Sequence, residues 1–267
     1  MGLFNRKQTH YEANGQPKVT VLVPVYNTAE PLLRQCLESL VHQTLQSIEI
    51  LIINDGSTSE ATIDVLAEYS VIDSRVRVFS KPNSGYGDSM NKGIAAARGE
   101  WIGLCEPDDF ADRHMFADLL AAGERYDVDI VKSNFIEHFD GEGDQPPHER
   151  VARIFNAFPY KQPFAPAENP QIVRVMPAIW AALYRRQMII DADIQFSPTL
   201  GASFQDTSFV HQCWVAARRV VLLKKAYLHY RMDNAASSSK SGDKVFALCG
   251  EYDRTVAFLK NRGEEAV

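Results

Sequence analysis

The sequence predicts an α/β fold with a mostly parallel central sheet and helices on both of its faces. Up to residue 139, short apolar runs of strand length alternate with stretches in which apolar residues recur at helical spacing. Residues 48–53 (IEILII) are almost continuously apolar, as strands inside a parallel sheet usually are. Because a strand–helix–strand order brings successive strands into parallel pairing, this alternation predicts the class.

The first half of the chain supplies the predicted elements in order. The strands are predicted at residues 18–24, 48–53, 75–80, 101–105 and 129–137. The helices are predicted at residues 28–45, 59–69, 112–126 and in a stretch that ends at 97. Each strand is a short run of apolar residues, and each helix has apolar residues three and four positions apart.

The pattern changes after residue 139. Residues 140–171 are rich in Pro, Gly and charge, and they predict a long loop or short helices next to a site. Beyond them we expect helices at 179–190 and 206–218, a strand that begins at 220, a Ser-rich loop at 235–241 and an amphipathic helix at 244–260. Residues 1–17 are expected to form a flexible arm.

The composition limits the function classes. The formal net charge is -6, so we expect no nucleic-acid partner, because phosphate-binding surfaces are usually basic. No apolar run reaches the roughly 20 residues of a membrane span, and the polar start lacks the apolar stretch of a signal peptide. The four cysteines form no Cys-x-x-Cys pair, which argues against a cysteine zinc site or a disulfide framework. We therefore expect a cytoplasmic protein, with peripheral contact at the inner face of the membrane left open.

Candidate ligand-binding residues lie at or after the carboxyl ends of the predicted parallel strands, where open α/β sheets bind ligands. In chain order they are Pro24, Tyr26, Asp55, Gly85, Gly87, Glu106, Asp108 and Asp109. Structural alternatives exist for three of these groups. The turn at residues 55–57 can cap a helix, the two glycines can serve a turn with positive φ, and the two aspartates can cap the helix that follows them.

The acidic cluster after the fourth strand has a chemical use. Carboxylate oxygens suit Mg²⁺ or Mn²⁺, and such ions are commonly bound by one or two carboxylates together with substrate phosphates. Clustered acids would repel a diphosphate unless a cation lay between them, and that cation would stabilise the charge that develops on the departing phosphate. Glycosyl transfer from a nucleotide diphosphate sugar has this requirement.

The order and spacing of six sequence blocks resemble the family 2 glycosyltransferases, which are inverting enzymes with a Rossmann-like GT-A fold. The blocks are VLVPVYN at 21–27, IINDGS at 52–57, residues 83–109, AIWAALYRR at 178–186, FQDTSF at 204–209 and YLHYRMDNAASS at 227–238. The resemblance implies one domain with a nucleotide-sugar-binding half at 18–139 and an acceptor-binding half at 140–241. An amphipathic helix within 242–267 would follow.

The resemblance implies roles around the nucleoside. Pro24, Tyr26 and Asp55 would hold it, with Asp55 facing the base. The loop from Gly85 to Gly87 would close over the base, where a side chain at position 87 would clash.

Further donor and metal contacts follow from the same resemblance. Asn91 would face the nucleotide from the next helix, and Glu106 would contact the ribose. Asp108 would bind Mn²⁺ or Mg²⁺, and Asp109 would support it.

Three residues of the second half complete the implied site. Asp206 matches the general base. Arg231 would grip the diphosphate, the alternative being a surface arginine beyond a strand. His229 is an additional metal-ligand candidate, but a histidine packed in a strand is the favoured interpretation.

Two positions depart from the family pattern. Glu106 replaces the more usual first aspartate of the metal motif, so the ribose contact is expected to differ. Gln205 replaces the glutamate that often precedes the catalytic aspartate, which leaves Asp206 as the acid of that block. Neither change removes the metal ligand or the base, so activity is still expected.

Three other functions would each need a different sequence feature. A sugar nucleotidyltransferase would need a Gly-rich basic loop after the first strand, but residues 23–30 (VPVYNTAE) contain neither Gly nor Lys. A non-catalytic nucleotide-sugar-binding module would be favoured by loss of Asp108 or Asp206, and both are present. An interaction protein would present the apolar stripe of residues 244–260, for which packing on the domain is the simpler account.

The family supplies the remaining expectations by analogy. The donor is expected to be a UDP-sugar, and the acceptor a hydroxyl group of a glycan or of a lipid-linked glycan. The product would belong to a bacterial surface polysaccharide or a similar glycoconjugate. The sequence does not indicate an oligomeric state.

Overall fold

The computed structural model describes residues 15–141, 146–199, 204–234 and 245–263. Its strands are β1 (Val19–Val25), β2 (Ile48–Asn54), β3 (Val76–Ser80), β4 (Trp101–Leu104), β5 (Phe110–Ala111), β6 (Ile130–Phe139), β7 (His148–Ala152), β8 (Ala182–Arg185) and β9 (Val220–Arg231). Its α-helices are α1 (Glu30–Val41), α2 (Glu60–Ile72), α3 (Tyr86–Ala96), α4 (Met115–Tyr126), α5 (Arg186–Asp191), α6 (Gln205–Ala216) and α7 (Val245–Asn261).

These strands form one sheet, in the order β3-β2-β1-β4-β8-β6-β9-β5, with β7 paired to β6 beside that path. The pairs β3–β2, β2–β1 and β1–β4 are parallel, as predicted. β8 runs antiparallel to both β4 and β6, and β9 is parallel to β6. As a result β1, β4, β6 and β9 share one direction, and their carboxyl ends lie at the same edge of the sheet.

The buried sheet gives the fold its core. Every residue of β1 is buried, and six of the seven residues of β2 are buried, so both strands are covered on both faces. Helix α1 turns four apolar side chains towards this core, namely Leu33, Cys36, Leu37 and Leu40. The predicted α/β class is confirmed, and the second half of the chain makes the sheet mixed rather than uniformly parallel.

The prediction of a helix at 179–190 is wrong over the first half of that range. Residues Ala182–Arg185 form β8, and only Arg186–Asp191 are helical. The segment fills the position between β4 and β6, where Leu183 and Tyr184 are fully buried. The need to pair two neighbouring strands therefore overrides a helical apolar spacing.

The region predicted as a long loop or short helices, residues 140–171, contains both irregular chain and a strand. β7 pairs antiparallel with the second half of β6, which the composition of this region did not indicate. Two short 3-10 helices follow at Pro166–Glu168 and Pro170–Arg174. The division at residue 139 into donor and acceptor halves stays a prediction, since β8 and β9 complete the same sheet as β4 and β6.

The C-terminal helix is present, but its apolar stripe is divided. Leu248 and Leu259 are partly covered, whereas Cys249, Tyr252 and Val256 are exposed. The side of α7 that packs on α6 carries the buried Glu251, which bonds Ser208. The arm up to residue 14 and the Ser-rich loop at 235–241 lie outside the described residues. The side chain of Val245, which belongs to the predicted stripe, is also outside the description.

The cysteines are free thiols. Cys36 and Cys105 are distant in sequence, yet their Sγ atoms lie 3.7 Å apart in the core. Among the described residues, no helix has the length and apolarity that crossing a membrane requires.

Candidate active site

The loops after β1 and β2 are joined by Asn27, which sequence reasoning did not single out. Its side-chain oxygen accepts hydrogen bonds from the N–H groups of Thr58 and Ser59, at 2.8 and 2.9 Å. Asn27 takes a positive φ of 49°, a conformation that asparagine tolerates better than most residues. Beside it, Pro24 is buried in β1 while Tyr26 is 55% exposed, so of this pair Tyr26 is the side chain open to a ligand.

Asp55 holds the loop from Gly85 to Gly87, called the glycine loop, in place. One of its carboxylate oxygens accepts the N–H of Ser84 at 2.9 Å and pairs with the ammonium group of Lys81. The other oxygen accepts the N–H of Gly85 at 2.9 Å. Lys81 is also buried and was missed by the sequence analysis, because a lysine at the end of a strand is usually solvated.

The two glycines of this loop serve different needs. Gly85 has a φ of 92°, which favours glycine, and it precedes helix α3. Gly87 lies within α3, and a Cβ there would be 1.8 Å from the backbone oxygen of Ser197. A side chain at position 87 would therefore clash with the segment before α6, and the clash with a nucleotide base that the resemblance implied stays a prediction.

Asn91 binds that same segment. Its side-chain oxygen accepts the N–H of Phe196 at 2.8 Å, and its amide donates to the Phe196 carbonyl at 3.0 Å. This pair of bonds makes Asn91 a positioning residue in the structure. The nucleotide contact that the family resemblance implied stays a prediction.

Glu106 lies at the end of β4 and contacts the glycine loop. The hydroxyl of Tyr86 donates to its Oε1 at 2.7 Å. Burial raises the pKa of Glu106 to about 8, the hydrogen bond from Tyr86 lowers it, and the charges of Asp108 and Asp206 raise it. Glu106, Asp108 and Asp206 are thus close enough to interact electrostatically, although Asp206 is about a hundred residues further along the chain.

Arg231 ends β9 beside the acidic motif. Its backbone N–H donates to Asp109 at 2.8 Å, and its Nε donates to the backbone oxygen of Asp108 at 2.9 Å. The guanidinium group also donates to Gln35 at 2.5 Å and pairs with Asp140. Arg231 is 3% exposed, so the alternative of a solvated surface arginine is wrong.

The acidic motif fits a divalent cation. Asp108 is half-buried and accepts a hydrogen bond from the Asn234 amide at 2.7 Å. Asp109 is buried, and its Oδ2 has no hydrogen-bond partner among the described residues. Burial first, and then the charge of Asp108, raise the pKa of Asp109 well above its usual range. A cation would offset this concentration of buried negative charge.

Asp206 is the second residue of α6, after Phe204 as N-cap, so it is not itself the helix cap. Burial raises the pKa of Asp206 to about 6, and hydrogen bonds from the backbone N–H groups of Asp206 and Thr207 oppose this rise. The charge of Glu251 raises the pKa and the charge of Lys132 lowers it. A carboxylate with this pKa is suited to accept a proton near neutral pH.

Lys132 and Glu251 were not foreseen as neighbours of the site. Lys132 lies in β6 and is 1% exposed, and its ammonium group donates to the backbone oxygens of Pro177 and Ala178. Burial lowers the pKa of Lys132 to about 7. Glu251 comes from α7. The sequence signal that could have indicated Lys132 is a lysine within an apolar strand. No sequence signal indicates Glu251.

His229 does not join the acidic motif. Its ring stacks on Phe110 with centroids 4.3 Å apart, and its Nδ1 lies 2.7 Å from Glu149. The interpretation as a histidine packed in a strand accounts for the stacking, while the contact with Glu149 belongs to a separate cluster with His138.

Comparisons with known sequences identify the family. A sequence model described as "Glycosyl transferase family 2" matches residues 20–193. The chain belongs to this family, and the resemblance drawn from its sequence blocks is confirmed.

Several curated relatives align over most of the chain. EpsH and EpsJ of Bacillus subtilis are 34% and 31% identical to it, over 93% and 92% of this chain and 71% of each relative. Hyaluronan synthase of Pasteurella multocida is 35% identical over 99 residues, which are 37% of this chain and 10% of that protein.

Solved structures with low identity share the fold. Staphylococcus aureus TarS 1-349 in complex with UDP-GlcNAc superposes with a TM-score of 0.71 at 20% identity, over 90% of this chain and 66% of that one. The mannosyltransferase PcManGT of Pyrobaculum calidifontis, in complex with GDP-Man and Mn²⁺, gives a TM-score of 0.61 at 14% identity, over 93% and 65%. The chain is a glycosyltransferase with a GT-A fold.

Proposed function

We propose that this glycosyltransferase transfers a sugar from a nucleotide diphosphate donor to a hydroxyl group, with inversion at the anomeric carbon. The expected donor is a UDP-sugar, and the expected acceptor is a glycan or a lipid-linked glycan. The observation that carries the proposal is the electrostatic interaction of Glu106 with both Asp108 and Asp206, because it brings a cation-binding group near a proton acceptor.

The donor side of the proposed site is the edge where β1, β2 and β4 end. Tyr26 and the glycine loop border the space in which the nucleoside would lie. Asp55 supports this space by fixing the N–H groups of Ser84 and Gly85. Glu106, held by the Tyr86 hydroxyl, would accept a hydrogen bond from the ribose.

Asp108, with Asp109 behind it, would hold Mn²⁺ or Mg²⁺, and the ion would neutralise charge on the departing diphosphate. Arg231 lies beside both aspartates and would add a cationic group to the same region. The mannosyltransferase PcManGT has been solved with Mn²⁺, which supports a divalent ion here without naming it.

Asp206 is proposed as the general base. As the acceptor oxygen forms its bond to the anomeric carbon, its proton passes to the Asp206 carboxylate, and the bond from that carbon to the diphosphate oxygen breaks. Attack from the side opposite the leaving group converts an α-linked donor into a β-linked product. One carboxylate suffices, because no covalent glycosyl-enzyme intermediate has to form.

The biological setting is proposed from the relatives. Hyaluronan and chondroitin synthases are among the proteins to which a little over a third of the chain is similar, and their names describe the synthesis of polysaccharides. Assembly of a bacterial surface polysaccharide is therefore the proposed process. A lipid-linked acceptor would place the enzyme at the inner face of the membrane.

The first test is a thermal-shift and calorimetric screen of nucleotide diphosphates and nucleotide sugars, each with Mn²⁺ and with a chelator. We expect one nucleotide to stabilise the protein when metal is present, and Asp108→Asn to abolish this dependence. Asp118→Asn, which alters an acid of α4, is the matched control and should respond like the wild type. If no nucleotide binds under either condition, the proposed donor site is wrong. Binding without any transfer would favour the non-catalytic binding module.

A further inference from the structure

Three residues from three neighbouring strands, one of them β9, meet in a partly exposed cluster. His138 belongs to the end of β6, Glu149 to β7 and His229 to β9. Each offers one ligand atom, and these atoms all lie within 4.8 Å of one another. The pairing of β6 with both β7 and β9 brings them together, since His138 is opposite Glu149 and Ile136 is opposite His229.

The distances converge on one carboxylate oxygen. Nδ1 of His138 lies 3.0 Å from Oε1 of Glu149, and Nδ1 of His229 lies 2.7 Å from the same atom. Partial burial raises the pKa of Glu149, and hydrogen bonds with the two imidazoles lower it by more, so the carboxylate stays ionised. The histidine side chains are 14% and 17% exposed, whereas that of Glu149 is 43% exposed, which leaves the cluster open to solvent on one side.

The contacts that orient the two histidine rings resemble those of metal-binding histidines. Nε2 of His138 lies 3.2 Å from Oδ1 of Asp140. A proton on Nε2 that is donated to Asp140 leaves the lone pair of Nδ1 pointing at the cluster. A carboxylate that orients a histidine in this way is the usual second contact of a metal-binding imidazole. The ring of His229 is fixed by stacking on Phe110.

We propose that His138, Glu149 and His229 form a binding site for a divalent transition-metal ion, with Zn²⁺ as the best fit. Two imidazoles and one carboxylate are a zinc ligand set, and the open side leaves room for a fourth ligand from water. Nitrogen ligands select this class of ion, whereas Mg²⁺ prefers oxygen ligands such as those of Asp108. The site goes beyond the proposed glycosyl transfer and does not rest on it.

A metal at this position would act on the structure of the neighbouring donor site. It would tie the β6–β7 hairpin to β9 and fix the ring of His138. Asp140 contacts that ring through one oxygen and pairs with Arg231 through the other. Arg231 in turn contacts the backbone of Asp108. The ion would therefore hold Arg231 in place without touching the donor.

The test measures Zn²⁺ affinity by competition with a chromophoric chelator, in excess Mg²⁺ to occupy the oxygen-rich site. The parent protein is the tag-free Cys249→Ser variant, since Cys249 is an exposed thiol and thiolates are zinc ligands. We expect one Zn²⁺ per chain, loss of this binding in His138→Gln and in His229→Gln, and weakening by about 10–100-fold in Asp140→Asn. The matched control is His148→Gln, which alters a histidine of the same hairpin outside the cluster and should bind like the parent.

A measurement without ligand variants covers the case in which these variants fold poorly. In nitrogen-15 spectra of the parent, one equivalent of Zn²⁺ should shift the ring nitrogens of two of the seven histidines. Parent-like affinity in both His138→Gln and His229→Gln overturns the proposal. So does a parent that binds no Zn²⁺, or one in which Zn²⁺ leaves the ring nitrogens of His138 and His229 unchanged.

Discussion

Gly87 and Ser197 are in such close contact that a Cβ at position 87 would lie 1.8 Å from the Ser197 carbonyl oxygen and 2.8 Å from its carbonyl carbon. Ser197 is 4% exposed and follows Phe196, whose backbone is held by Asn91. Helix α3 therefore carries two independent contacts to the chain segment that leads to Asp206. The donor-side loop and the region of the proposed base are joined through this segment.

Gly87→Ala is expected to destabilise the protein by about 1–3 kcal/mol, because the new methyl group forces the backbone near Ser197 to move. The free energy of unfolding in urea measures this. Gly250→Ala is the matched control, since Gly250 is also helical but has nothing within 4 Å of the added Cβ. It should stabilise by about 0.5–1 kcal/mol. Equal effects of the two substitutions would contradict the close contact.

The sequence predicted the first half of the fold, and the position of several candidate residues at the sheet edge, because the information there is local. Each parallel strand is a short apolar run, and the polar residues directly after it must lie at the sheet edge. Asp55, Glu106 and Asp108 were placed in this way. β8 was misassigned because its strand character comes from burial between β4 and β6, which no local pattern indicates.

The partners of those residues were harder to predict. Lys81 is buried with its ammonium group paired to the carboxylate of Asp55, twenty-six residues earlier. Asn91 forms hydrogen bonds with a segment more than a hundred residues away. Glu251 approaches Asp206 through the packing of α7 on α6. Such contacts depend on tertiary structure, so propensity and periodicity carry no signal for them.

Lys81→Met is expected to destabilise the protein by about 3–5 kcal/mol, because it leaves the buried carboxylate of Asp55 without its cationic partner. The side chains of Lys81 and Asp55 are 4% and 7% exposed. Chemical denaturation measures the loss. Lys92→Met removes a cation that pairs with Asp88 at the surface, so the same measurement should show about 0–1 kcal/mol. A small effect at Lys81 would mean that the buried pair contributes little.

Asp206→Asn should retain donor affinity and lower turnover by about 10²–10⁴-fold, because only the proton acceptor is lost. Calorimetry with the nucleotide and single-turnover kinetics separate the two quantities. Gln205→Glu is a useful companion variant, since Gln205 is the neighbouring buried residue and donates to Thr199 at 2.9 Å. Turnover at the wild-type rate in Asp206→Asn would place the base elsewhere.

The pH profile tests the surroundings of Asp206. A base must be deprotonated to act, and burial raises the pKa of Asp206 to about 6, so kcat/KM is expected to fall as the pH drops through that value. The negative charge of Glu251 raises this pKa, hence Glu251→Gln should move the acidic limb to lower pH. The positive charge of Lys132 lowers this pKa, hence Lys132→Met should move the acidic limb to higher pH.

Shifts of the acidic limb in the same direction, or an unchanged limb in both variants, would show that another group governs the profile. Opposite shifts would identify Asp206 as the titrating base, because only a group that interacts with both charges responds in this way.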